Sequence, residues 1–183
     1  MGDAHVASPQ RIDVSVDALV LMVGAAGSGK STFAARHFPP EAVISSDRIR
    51  AQLGAGESDQ RVTDPAFTLI RRLLGERLER GLLTVVDATN VQWIDRAALL
   101  QVARLHGRPA VAIVLDLPVD VCLARNTGRQ RVVRPNVVKR QVRQLRQAWA
   151  NFELEGFAGV AILRSDMEVD AASVRMIPSQ SGD

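Results

Sequence analysis

A chain of 183 residues, 46% hydrophobic and 23% charged, has material for one full hydrophobic core, and this composition excludes a disordered or fibrous protein. No apolar run approaches the roughly 18 residues of a membrane span, the first ten residues lack the basic-then-apolar pattern of a secretory signal, and the single Cys122 excludes an internal disulfide. A cytoplasmic location without membrane contact is expected. A net charge of +3 does not by itself call for a nucleic-acid partner.

Residues 1–17 are mixed and polar and read as a flexible lead or a short edge strand. Ala18 to Val23 is a continuous apolar run closed by glycine, the pattern of a strand buried on both faces. Lys30 to Phe38 is expected to be helical, stopped by Pro39-Pro40. A short strand over Ala42 to Ser45 and a short helix over Asp47 to Leu53 follow, then a polar loop from Gly54 to Thr63. Asp64 and Pro65 open a long helix as N-cap and first residue, with Phe67, Ile70, Leu74 and Leu78 on one face and Gly81 at its end.

Leu82 to Val86 is the third strand, running into Asp87-Ala88-Thr89-Asn90. A helix from about Ile94 to His106 ends at Gly107, and Pro109 to Leu115 is the fourth strand. Pro118 starts a helix reaching about Arg125, and Pro135 starts the last long one. In that helix Val138, Val142, Leu145, Trp149 and Phe152 keep helical spacing, which puts Trp149 in the core rather than under a nucleobase. Val160 to Leu163 is the fifth strand, and the residues from 166 on read as a loosely attached tail. Alternating strands and helices specify an α/β domain over 18–165 with a five-stranded parallel sheet and helices on both faces.

Gly24-Ala25-Ala26-Gly27-Ser28-Gly29-Lys30-Ser31 matches the phosphate-loop pattern G-x-x-x-x-G-K-[ST], set between a buried strand and a helix. The glycines let successive N–H groups turn into one concavity, and the helix beginning at about Lys30, including Thr32, adds its N-terminal partial positive charge. Lys30 is expected on the β- and γ-phosphates of ATP and the Ser31 hydroxyl on Mg²⁺. Asp87, at a strand end, is the expected carboxylate partner of that ion; a cap or turn carboxylate is the alternative reading.

Two features point to transfer onto a hydroxyl. Asp47 lies just past a strand end facing the same crevice, where a carboxylate can take the proton of an attacking hydroxyl, although it can also cap the helix that follows. From Val121 to Phe152 there are eight basic residues and no acid, starting with Arg125, Arg129, Arg131 and Arg134. The bland reading of that run is a solvated face. Arginines on a short helical lid at about 125–135 can instead close over ATP and offset charge on the transferred group. Together these define a single P-loop kinase domain with an Arg-rich helical lid. Trp93, just after Asn90, is the aromatic placed near the crevice. His5, His37 and His106 lack ligand-like spacing, so no zinc site is expected.

The segments GAAGSGKSTF (24–33), VISSD (43–47), LTVVDATN (83–90) and VCLARN (121–126) together resemble the 5′-hydroxyl polynucleotide kinase domain of bacterial polynucleotide kinase-phosphatase, over about residues 19–163. The resemblance implies that Lys30 and Ser31 hold ATP and Mg²⁺ and that Asp47 is the general base on a 5′-hydroxyl. It implies that Arg50 contacts a phosphate of the acceptor strand and that Arg125, Arg129 and Arg131 clamp the ATP phosphates; Asn90 and Trp93, from their place near the crevice, are expected on the acceptor side as well. The lid between Arg129 and Pro135 is one residue shorter than in the family, so Arg131 and Arg134 are alternatives for its outer position. The family's phosphatase and ligase-like parts have no counterpart in these 183 residues. The expected acceptor is a DNA or RNA 5′-hydroxyl end. The alternatives are a small hydroxyl compound (a sugar, a nucleoside or an antibiotic) and a regulatory nucleotide-binding module without transfer.

Overall fold

The structure, a computed structural model, describes residues 10–53, 63–128 and 132–179. Five parallel strands make the central sheet: β2 (Leu19–Gly24), β3 (Val43–Ser45), β4 (Thr84–Asp87), β5 (Ala110–Leu115) and β6 (Gly159–Leu163), in the order β3-β4-β2-β5-β6. Strict alternation along the buried strands splits them between two cores, as the two-residue period of a strand requires. Leu19, Leu21 and Val23 of β2 point to one side, and Val20 and Met22 to the other.

On the first side lie α3 (Thr63–Glu79), α4 (Trp93–Leu105) and α6 (Pro135–Phe152), which contribute Ile70, Leu74, Leu78, Leu99, Leu100, Leu145 and Phe152. Trp149 is half-buried against that core, as its helical spacing predicts. On the second side lie α1 (Lys30–His37), with Phe33 and Ala34, and α7 (Asp166–Ala171). Two shorter helices, α2 (Ser46–Gln52) and α5 (Val119–Thr127), stand at the carboxyl edge of the sheet, and Pro40–Ala42 makes one 3-10 turn. Among the described residues no helix is long and apolar enough to cross a membrane.

One helix begins earlier than expected. The helix α3 has begun by Thr63, so Asp64 lies inside its first turn instead of capping it. The expected loop 54–63 falls outside the described residues up to position 62. The lead holds a short strand, one of the two readings its sequence allowed, and the tail pairs with it where it is described. Arg11–Ser15 (β1) pairs in parallel with Ser173–Ile177 (β7), Arg11 opposite Ser173 and Ser15 opposite Ile177. Ile12 and Val14 are buried in the second core, and Arg175 forks onto the Asp13 carboxylate directly across the ladder at 2.9 and 2.7 Å. Burial of one strand face and a bidentate ion pair on the other hold this ribbon in register.

Candidate active site

The register of the sheet brings the site together. Met22 pairs with Asp87, and Asp87 with Ser45, so β3 and β4 end level with one another while β2 runs two residues further, to Gly24. The loop 24–29 leaves β2, Asp87 closes β4, and Asp47 follows β3 by two residues. The β4 end therefore stands between the phosphate loop and Asp47, in the crevice where open parallel sheets bind ligands.

The loop is braced from behind. Gly24 N–H donates to the Thr89 carbonyl at 2.9 Å, which ties it to the β4–α4 connection. Gly27 has φ +83°, and a Cβ there would lie 2.2 Å from the Cys122 carbonyl oxygen, so only glycine lets α5 close onto the loop. Gly29, with φ 95°, precedes α1. The side chains of Ala25 and Ala26 are buried with Leu117, Cys122, Val138 and Val142 in a small apolar cluster. Ser28 is fully buried, and Thr32 is exposed on the first turn of α1.

Lys30 Nζ donates to the Ala25 carbonyl at 2.8 Å and lies 3.4 Å from Ser28 Oγ. Ser31 Oγ donates to Asp87 Oδ2 at 2.7 Å. That pairing tests the fit of a magnesium ion: two hard oxygen donors sit at one spot beside the phosphate loop. Such a donor pair fits Mg²⁺, which takes one or two protein oxygens and completes its shell with water and phosphate.

Asp47 is not the cap of α2. That place belongs to Ser45, whose Oγ accepts from Arg48 N–H at 3.4 Å. The Asp47 carboxylate instead meets Arg50 Nη1 at 2.9 Å, one helical turn on, and is about one-third exposed (37%). Arg125, in the last turn of α5, reaches the loop: its Nη1 lies 3.6 Å from where a Cβ on Gly29 would stand, and its Nη2 pairs with Asp166 Oδ1 at 2.8 Å. Arg129 and Arg131 lie outside the described residues, and Arg134 is exposed at the N-cap of α6.

Of the three residues expected beside the acceptor, Arg50 is engaged with Asp47, while Trp93 and Asn90 differ sharply in exposure. Trp93 opens α4 with 58% of its surface exposed and the exposed Ile94 next to it. Asn90 is buried at 1% exposure, has φ 48°, and its Nδ2 donates to the Met22 carbonyl at 2.8 Å. Its Nδ2 therefore ties the β4–α4 corner to β2, while its Oδ1 is buried without a hydrogen-bond partner. Asparagine tolerates the left-handed backbone such a corner needs.

Sequence reasoning missed the groups that hold this corner. Arg96 of α4 is completely buried; its Nη1 donates to the Asn90 carbonyl at 2.9 Å, and its other edge forks onto Glu155, with Nε to Oε2 at 2.7 Å. The ring of Phe152 lies 4.3 Å beneath the guanidinium. Gln141 of α6, whose Oε1 accepts from Ala26 N–H at 2.9 Å, and Asp166, the partner of Arg125, were missed as well. Gln141 carried one faint signal: it is an uncharged polar residue among arginines, on the flank of the Val138–Val142 seam.

A family model for the AAA domain matches residues 19–152, most of the chain. The chain belongs to the AAA domain family. A search of curated proteins finds no match. Among solved structures, a chain of the Pnkp1/Rnl/Hen1 RNA repair complex superposes with TM-score 0.65 at 20% identity, covering 83% of this chain and 49% of that one. This protein thus spans about half the length of that relative. The Mycobacterium tuberculosis APS kinase CysC, in complex with AMPPNP and APS, gives TM-score 0.54 at 18% identity over 86% of this chain and 95% of its own. A gluconokinase from Sinorhizobium meliloti 1021 gives 0.54 at 16% identity, over 86% and 87%. At such identities the likeness shows the fold, which is that of an α/β P-loop kinase.

Proposed function

We propose that this protein is an ATP-dependent kinase that transfers the γ-phosphate to a hydroxyl, and that its acceptor is the 5′-hydroxyl end of a polynucleotide. The observation that carries the transfer reading is Asp47. It is a partly exposed carboxylate at the carboxyl edge of the sheet, not needed as a cap, one strand removed from the Ser31–Asp87 pair. A carboxylate so placed can accept the acceptor's proton as its oxygen attacks the γ-phosphorus and the bond to the β-phosphate oxygen breaks, releasing ADP. Lys30 and Arg125, on either side of the loop, would balance charge on the transferred group. Ser31 and Asp87 would hold a magnesium ion, which when bound neutralises phosphate charge.

The polynucleotide acceptor rests on the combination of the ISSD, VVDATN and LARN segments, on the fold likeness to a chain of an RNA repair complex, and on the acid-free basic stretch 121–152. The exposed Trp93 offers a ring for a terminal base to stack on. One observation favours a small acceptor instead. Arg50, assigned to an acceptor phosphate, is engaged with Asp47, and the fold is shared with a gluconokinase and an APS kinase.

Labelled ATP with Mg²⁺ and 5′-hydroxyl oligonucleotides of DNA and RNA separates these readings. The expected outcome is label on 5′-hydroxyl ends and none on 5′-phosphate ends, with an oligonucleotide KM that rises steeply with salt. Asp47→Asn should lower kcat by roughly 10²–10⁴-fold with ATP binding kept. Label moving only to small hydroxyl compounds would exclude the polynucleotide, and label moving to nothing would exclude a kinase.

A further inference from the structure

The Ala25–Ala26 peptide of the phosphate loop is held at both ends. Its carbonyl oxygen accepts from Lys30 Nζ at 2.8 Å, and its N–H donates to Gln141 Oε1 at 2.9 Å. The same carbonyl also accepts the Ser28 N–H at 3.1 Å, inside the loop. The N–H has no such partner within the loop, and the acceptor that satisfies it comes from α6, 115 residues away in sequence. Because the peptide unit is planar, whatever fixes its N–H also fixes the direction of its carbonyl. Aligned hydrogen bonds through one peptide also strengthen each other.

The packing of α6 explains why this glutamine can do so. Val138 and Val142 are buried against Ala25, Ala26, Leu117 and Cys122, and Gln141 is half-buried on the flank of that seam. The helix is thus seated on the loop by its apolar residues, and Gln141 supplies an acceptor at the contact. Its chemistry suits the place. The neighbouring Lys139, Arg140 and Arg143 have no acceptor atom, while a glutamate would set a negative charge beside a site built for phosphates.

We propose that Gln141 is a positioning residue of the phosphate loop: by accepting the Ala26 N–H it turns the Ala25 carbonyl to the Lys30 ammonium, and so sets where Lys30 stands when a nucleotide arrives. The inference rests on the reading of residues 24–31 as a nucleotide site and is independent of the acceptor.

The test compares wild type, Gln141→Met and Gln141→Glu by ADP titration calorimetry with Mg²⁺, thermal melting, and amide exchange at Ala26. Methionine keeps the length and removes the acceptor. It is expected to lose the exchange protection of Ala26 and to weaken ADP binding about tenfold, the weight of one hydrogen bond, with little change in Tm. Glutamate keeps the acceptor, so Ala26 stays protected, while ADP binding weakens most at low salt and recovers as salt screens the added charge. Wild-type affinity in Gln141→Met, or a loss that only follows a fall in Tm, overturns the inference and leaves the kinase reading standing. A wild-type chain that binds neither ADP nor ATP overturns both.

Discussion

Asp116, the residue that follows β5, is an acid that the fold makes costly. It is buried, its Oδ1 lacks a hydrogen bond, and Arg146 stands 3.5 Å away from it. Burial pushes its carboxyl above the usual carboxylate range, with the nearby Arg146 and Arg164 pulling it partway back. A group that holds its proton more tightly in the fold than in the unfolded chain costs stability as the pH rises from its ordinary value to its folded one. Below that ordinary value of 3.8 both states are protonated and the cost vanishes. Asp116→Asn, which removes the charge, is therefore expected to melt above wild type near neutral pH, the gap closing as the pH falls toward 3.8. Melting curves taken across that range check it; a gap that stays constant with pH would rule out a titrating origin.

At the scale of elements, the site depends on α5 and α6 lying against the phosphate loop. Gly27 is the tightest point of that contact. Gly27→Ala would drive a methyl into the Cys122 carbonyl and hold an L-residue at φ +83°. Strain of both kinds predicts a loss of at least about 2 kcal/mol together with loss of nucleotide binding. Urea unfolding and ADP titration would measure the two effects, and a fully stable alanine variant would mean that α5 yields easily. The β2–loop–α1 unit was legible in the sequence because its signals are local: an apolar run, spaced glycines, and a lysine opening a helix. The same holds for α3 and α6, whose apolar spacing falls on one face. Arg96 and Glu155 were not legible, because a buried ion pair 59 residues apart leaves no pattern in either segment. The bond from Asn90 to Met22 was hidden for a related reason: it exists only once β2 and β4 have paired.

For the molecule as a whole, the least legible feature was the pairing of β1 with β7: a short edge strand was one reading of the lead, but its partner lies 162 residues away, at Asp13 and Arg175, in a segment that reads as a loose tail. The parallel direction of that ribbon has a mechanical consequence. The chain enters β1 at the Arg11 end, which faces Ser173, and leaves β7 at the Ile177 end, which faces Ser15. A pull on the two outer ends therefore runs along both strands in opposite directions. All the rungs of the ladder, and the Asp13–Arg175 fork with them, take the load together instead of parting one after another. Forced unfolding is governed by the barrier to the first rupture. The ribbon should therefore act as a shear clamp that shields the phosphate loop from tension, and stretching the molecule from residues 10 and 178 should show a higher rupture force than stretching it across the sheet from residues 10 and 105.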